Sequence, residues 1–220
     1  MSRWANAVPD RQEQNETKRK AIIREAARVF NRRGSHGATL EDVAERLSVT
    51  KAALYRYVES KQDLLYACHV EAMEIANEAM DKGEAEGGTG LAKIEIGMSG
   101  YLREMIGAMG VPVLILEENA LTGAAAEHVM ALRDDFEARL RRLVAEGMAD
   151  GSILPLNPKL AIFALLGAVH WVTKWYSPEG AWTADDVAEG LIELTARSLA
   201  AAPSARLAAR IHGRLPPGGG

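Results

Sequence analysis

A single cysteine, Cys68, in 220 residues excludes an intramolecular disulfide and fits a reducing compartment. No apolar run is long enough to cross a bilayer: the longest, Leu160 to Val172, falls short of the roughly 20 residues a span needs. The opening MSRWANAVPDRQEQNETKRK lacks the apolar segment of a secretory signal, so the expected location is the cytoplasm. Aromatic residues amount to only 5%, and no alternating apolar pattern marks a strand. Five histidines, His36, His69, His128, His170 and His212, are scattered without HExxH or paired ligand spacing, which leaves no expected metal site. Cys68 and His69 are neighbours in a helical run and point about 100° apart, so a thiol–imidazole dyad is not expected. The glycine-rich stretch 83–90, GEAEGGTG, follows a helical run where a phosphate loop would follow a strand. Neither an enzyme nor a bound cofactor is expected.

What the chain does contain favours helix. Alanine, leucine, glutamate and arginine dominate. The net charge of -4 hides an asymmetry. Residues 1–60 hold 12 Lys and Arg against 8 Asp and Glu, a net of +4; the remainder holds 14 against 22, a net of -8. A basic head on an acidic body suits a protein that meets a polyanion at one end.

The head reads as three helices. Ile22, Ile23, Ala26, Ala27 and Phe30 share one helical face between Glu16 and Arg33, and Gly34 ends the run. Thr39 with Asp42 forms a cap signature before Leu40, Val43, Ala44 and Leu47. After Ser48-Val49-Thr50, a second short helix, KAALYRYV, turns Leu54 and Val58 inward. Two short amphipathic helices joined by a three-residue turn make a helix-turn-helix over about 39–58. Leu40, Val43, Ala44, Leu47, Val49, Leu54 and Val58 are expected to share one core with the first helix. Lys51, Ala52, Ala53, Tyr55 and Arg56 remain outside, and the two alanines keep the helix slim enough to approach base edges.

The run TLEDVAERLSVTKAALYRYVESKQDLL resembles the DNA-binding domain of the TetR/AcrR family of regulators. The matches are Thr39, Val43-Ala44, Val49-Thr50, Leu54-Tyr55, Tyr57, Lys61 and Asp63-Leu64. Ser48 departs from the glycine usual in that family, at a position that often needs positive φ, and Val58 replaces a phenylalanine. The resemblance implies phosphate contacts by Thr39, Thr50, Tyr57 and Lys61, and base contacts by Lys51, Ala52, Tyr55 and Arg56. It also implies an all-α fold: a three-helix DNA-binding domain, then a six-helix domain that binds an effector and forms a homodimer. The expected organisation is a flexible arm over 1–15, a DNA-binding domain over 16–60, an effector and dimer domain over 61–202 and a loose tail over 203–220.

In the body, further helices are expected at about 91–108, after Pro112, and at 124–149, 158–176 and 184–201. Met98, Tyr101, Met105, Leu116, Asn119, Phe136 and Trp171 mix adaptable apolar groups with polar handles and are the candidate effector pocket; ordinary core is the alternative. The segment from Leu160 to Val172 is apolar nearly all round and must be covered on both sides. The expected dimer seam is therefore Ala161, Leu165, Ala168 and Val172 with Val187, Leu191, Leu194 and Ser198 of the last helix. Trp171, Trp175, Tyr176, Pro178 and Gly180 look like a signature of TetR-type regulators that sense acyl-CoA thioesters. That resemblance implies a CoA ester as effector, with Arg133, Arg139 or Lys174 at its phosphates. A lipophilic aromatic effector, for a regulator of efflux or degradation genes, is one alternative. An architectural DNA binder with no effector is another.

Overall fold

The computed structural model describes residues 11–109 and 120–201. Among these, the chain forms eight α-helices and one π-helical turn: α1 (Arg11–Gly37), α2 (Leu40–Arg46), α3 (Lys51–Leu54), α4 (Lys61–Glu86), α5 (Gly90–Glu104), the π-turn (Met105–Met109), α6 (Gly123–Ala149), α7 (Pro158–Trp175) and α8 (Ala184–Leu199). The expected all-α architecture is present. The helix expected after Pro112 falls outside the described residues, as do Leu116 and Asn119 of the candidate pocket. Helix α1 begins at Arg11, inside the segment expected to be a flexible arm.

Local sequence accounts for most helix boundaries. Thr39 caps α2 in a full capping box: its hydroxyl accepts from the Asp42 amide, and the Asp42 carboxylate accepts from the Thr39 amide. Thr183 and Asp186 repeat the device on α8. Thr50, Ser60 and Thr89 cap α3, α4 and α5 through their hydroxyls. Asn157 and Pro158 start α7. Gly34, at φ 74°, breaks the helical path inside α1 where the break was expected. Ser48 is the sole described non-glycine residue with positive φ, at 55°. The family's glycine position has thus kept its backbone geometry and lost its glycine.

The head packs Ile22, Ile23, Ala26, Phe30, Val43, Leu54 and Val58 into one small core. Val49 does not join it as expected and is 43% exposed. It follows the left-handed Ser48, which turns the chain outward. Helix α3 is shorter than the expected octapeptide; beyond Leu54, hydrogen bonds from Tyr57 and Val58 to the Leu54 carbonyl carry tight turns on to Val58.

In the body, α4 and α5 pack along most of their lengths, and α5 crosses α6 with almost no gap. A Cβ on Gly90 would lie 2.2 Å from the Gly147 nitrogen and 2.5 Å from the Leu143 carbonyl oxygen. Gly97 likewise faces Met80 of α4. Past α6, Ile153 pairs with Ala200 in an isolated antiparallel bridge that fastens the end of α8 to the loop before α7.

Two consequences are measurable at fixed protein concentration. Gly90→Ala overpacks the α5–α6 crossing and is expected to lower stability by about 1–3 kcal/mol in urea denaturation. Gly88→Ala, with open space around it, is the control and changes stability by less than about 0.5 kcal/mol. Ser48→Gly relieves the left-handed strain and raises stability by about 0.5–1 kcal/mol; a neutral or lower midpoint contradicts the strain assignment.

Candidate DNA-binding face and effector cluster

The outer face of the helix-turn-helix carries the residues singled out from the sequence. Thr39, Thr50, Lys51, Ala52, Tyr55 and Arg56 are exposed; Tyr57 and Lys61 are half-buried. Thr39 and Thr50 act as helix caps. Tyr55 keeps 46% of its surface open while Leu54 beside it is fully buried, so one short segment shows solvent a polar face and the core an apolar one. The Lys61 ammonium donates to the His36 carbonyl at 3.5 Å, which ties the start of α4 to the end of α1.

Several cations of this domain are already paired. Arg33 meets Asp42 at 2.5 Å and Arg46 meets Glu25 at 2.7 Å. Lys51 forms an ion pair with Glu41 and lies 5.7 Å above the Tyr55 ring. Hydrogen bonding to Glu41 pushes the Lys51 ammonium pKa up, and Lys51 in turn pulls the Glu41 carboxyl down. Arg56 has no ion-pair partner among the described residues and reaches straight into solvent.

The head docks on the body through α1. Arg24 donates to the buried Glu71 carboxylate of α4 at 3.2 Å. The Cys68 thiol donates to the Ile23 carbonyl at 3.4 Å, and burial raises its pKa, which makes it a structural thiol. Two further side chains, Arg28 of the head and Gln62 in the first turn of α4, hold backbone carbonyls of the body. Arg28 donates to Gly107 in the π-turn at 3.1 Å, and Gln62 donates to Ala120 at 2.7 Å.

The candidate effector residues separate. Met98, Tyr101 and Met105 line one face of α5 and its extension, and Phe136 of α6 joins them, with the Tyr101 and Phe136 rings 6.1 Å apart. Trp171 does not belong with them. It is 62% exposed on the outer side of α7, because its helical angle is that of Leu160 and Phe163, not that of the inward Val169 and Val172. Of the cations matched to CoA phosphates, Arg139 is engaged by Asp81, Glu84 and the Asn77 carbonyl, Lys174 is exposed, and Arg133 turns to His69. An open cleft of about 430 Å³ lies elsewhere, between Arg141, Arg142 and the start of α7 at Asn157.

Two histidines passed over as scattered both feel the charge of Arg133. His69 of α4 is buried with its Nδ1 3.2 Å from Arg133 Nη2, and the Arg133 charge also acts on His170 of α7. Burial first, and Arg133 second, lower both imidazole pKa values to about 4. The one signal in the sequence was a histidine inside the apolar run AVHWV.

The expected dimer seam needs a correction of face. Ala161, Leu165, Val172 and Val187 are buried within their own chain, and Ala168 is half-buried. They lie on the side of α7 and α8 that covers the body. The exposed apolar side of α7 is Leu160, Phe163 and Trp171 with Gly167 between them. Leu194 (64% exposed) and Ser198 lie open on α8 as expected, and Leu191 is half-buried beside them. Large residues at spacings of three and four marked this stripe in the sequence; a helix apolar all round hid which side faced home.

Among the described residues no group of His, Cys, Asp or Glu could hold a metal, and no helix is long and apolar enough to cross a membrane. The chain resembles known proteins over most of its length. It is 24% identical over 197 residues, 83% of this chain and 90% of the relative, to the HTH-type transcriptional repressor KstR2 of Mycolicibacterium smegmatis. Its fold is similar to the TetR family transcriptional regulator PfmR from Thermus thermophilus, with a TM-score of 0.67, 26% identity, and coverage of 80% of this chain and 97% of that one. AibR, solved in complex with isovaleryl coenzyme A and operator DNA, has the same fold at a TM-score of 0.67 and 24% identity, over 80% of this chain and 97% of its own. Residues 22–68 match the family description of bacterial regulatory proteins of the tetR family, and residues 87–199 match that of the tetracyclin repressor-like C-terminal domain. The chain is therefore a member of the TetR family of transcriptional repressors, a DNA-binding regulator and not an enzyme.

Proposed function

We propose that this chain represses transcription as a homodimer on a palindromic operator and leaves the operator when an organic effector binds its body. The observation that carries the operator reading is the polar outer face of α3, with Arg56, Tyr55 and Ala52 exposed over a buried Leu54. Arg56 has the donor fork to pair with a guanine, and Ala52 is small enough to touch a thymine methyl. Thr39, Thr50, Tyr57 and Lys61 set the register through phosphates. The open stripe of Leu160, Phe163 and Trp171 with Leu194 supports the dimer, since large apolar groups aligned on two neighbouring helices call for a covering surface. A two-fold pairing of α7 and α8 gives a four-helix seam and spaces two recognition helices for successive major grooves.

An acyl-CoA ester is the first effector class to test. Its support is the aromatic end of α7, with Trp171, Trp175 and Tyr176, and the fold shared with AibR, which binds isovaleryl coenzyme A. Coupling to DNA is supported by the Arg28–Gly107 and Gln62–Ala120 hydrogen bonds, which tie the head to Gly107 and the adjoining first turn of α4 to Ala120. An effector that favours another position of those flanks draws the head with them.

Operator fragments selected from random DNA test the head. Lys61→Ala is expected to weaken binding to all sequences and to reduce the salt slope by about one unit. Arg56→Ala is expected to cost about 1–3 kcal/mol and to relax preference at one base pair of each half-site. Equal losses on selected and random DNA for both variants overturn the assignment. Leu194→Arg tests the seam: sedimentation should show a helical monomer that no longer binds the operator tightly. A stable dimer in that variant refutes the α7–α8 interface.

A further inference from the structure

A glycine inside an α-helix costs stability relative to alanine, so its presence asks what comes too close for a side chain. Among the described residues, six glycines stand inside α-helices without a positive φ: Gly83, Gly97, Gly100, Gly147, Gly167 and Gly190. Four are answered within the chain. A Cβ on Gly83 would meet Lys93 and Gly97, on Gly97 Met80, on Gly100 Ala79 and on Gly147 Ile153. Gly167 of α7 and Gly190 of α8 are exposed, and a Cβ on either would meet nothing within 4 Å. Each lies within two residues of the middle of its helix.

The pattern around Gly167 is symmetric. Phe163 (48% exposed) and Trp171 (62% exposed) stand four residues to either side, and Leu160 and Lys174 seven to either side. Residues at such spacings share one helix face, so the five make a stripe with a notch at its centre. When two copies of a helix cross antiparallel on a two-fold axis, a residue some places before the crossing meets the residue as many places after it in the other copy. With Gly167 on the axis, each Phe163 meets Trp171 of the second copy, and each Leu160 meets the stem of that copy's Lys174. Residues 160–173 contain no Asp, Glu, Lys or Arg, so the crossing buries no formal charge. Helix α8 adds a second crossing. It runs antiparallel to α7, because the loop 176–183 joins them at one end and the Ile153–Ala200 bridge fastens them at the other. The middle of α7 is therefore level with the middle of α8, near Ile192. A crossing there brings Leu194 of each copy, 64% exposed, onto the notch over Gly190 of the other.

We propose that a second copy of this chain packs α7 against α7 and α8 against α8, about a two-fold axis that passes over Gly167 and between Gly190 and Leu194. The inference rests on the homodimer reading above and fixes which helix faces which. Gly167 lets the two α7 backbones approach, as Gly90 and Gly147 do where α5 crosses α6.

The test uses the full chain. Sedimentation equilibrium over a dilution series gives the dimer dissociation constant, with helicity checked by circular dichroism. Because residue 167 has open space around it in the single chain, Gly167→Ala and Gly167→Leu should keep or raise helix content. On the axis the two added side chains collide. Gly167→Leu should weaken dimerisation at least about tenfold, and Gly167→Ala less but in the same direction. Cross-linking reads the position of the axis. A disulfide needs Cα atoms about 4.4–6.8 Å apart, and the sole native cysteine, Cys68, is buried. Gly167→Cys should give a disulfide-linked dimer under mild oxidation. Phe163→Cys and Trp171→Cys should not link to themselves, since each lies about 12 Å along the helix from its own copy, but a mixture of the two should link. If the wild type dimerises while Gly167→Leu keeps its affinity, the axis lies elsewhere and the inference fails with the dimer standing. The same holds if Gly167→Cys does not link, or if Phe163→Cys or Trp171→Cys links to itself as readily. A wild type that stays monomeric at every concentration overturns both. Should Gly167→Leu fail to fold, the Gly167→Ala constant and the cysteine variants decide.

Discussion

The contact on which the rest depends is the seat of α1 on α4. Ile23, Ala26, Ala27 and Phe30 meet Leu64, Leu65 and Cys68 in one apolar layer. At its margin a nearly buried Glu71 is matched by Arg24. A buried carboxylate without its cation costs several kcal/mol, so this pair admits few alternative seats for α1. Because α4 runs from Lys61, beside the helix-turn-helix, to the interior His69 and on into the body, the seat fixes where the helix-turn-helix sits relative to everything behind it. The head is bound less as a tethered module than as the end of one long helix.

That rigidity explains why the remaining links are few and specific. Arg28 and Gln62 each hold a single backbone carbonyl, one in the π-turn and one just before α6. A π-turn is a helix with a residue too many, and such turns occur where a helix must be adjusted locally. Here it continues α5, which bears Tyr101 and Met98. The buried Tyr101 and the carbonyl of Gly107 that Arg28 holds therefore lie on one continuous helical path, less than three turns apart.

Much of the fold was legible because its signals are local. Caps such as Thr39 with Asp42 and Thr183 with Asp186, and the break at Gly34, are written within four residues of where they act. The exposure of Tyr55 and Arg56 was legible for the same reason, since a short helix with Leu54 turned in leaves them on the outer side. What was not legible depends on distance in the chain. His69 and Arg133 are separated by dozens of residues, and only the packing of α4 against α6 makes them neighbours. The sides of α7 were misassigned for a different reason. A helix apolar on every face has no periodicity to say which face its own chain covers, and Trp171 was placed inside on composition alone. Val49 was expected in the core on its hydrophobicity; the left-handed turn at Ser48 overrode that preference.

The Lys51–Glu41 pair has a consequence for how the head approaches DNA. In the free protein Glu41 already occupies the place a phosphate would take beside Lys51. On the proposed operator contact that lysine would exchange one anion for another, and the released carboxylate would gather its own counterions. Its transfer therefore contributes less to the ion-release entropy that favours all protein–DNA contacts than a solvated lysine would. On that reading the acid would be a resident decoy that quiets this cation on random sequence and would leave discrimination to residues such as Arg56, which carry no such ballast.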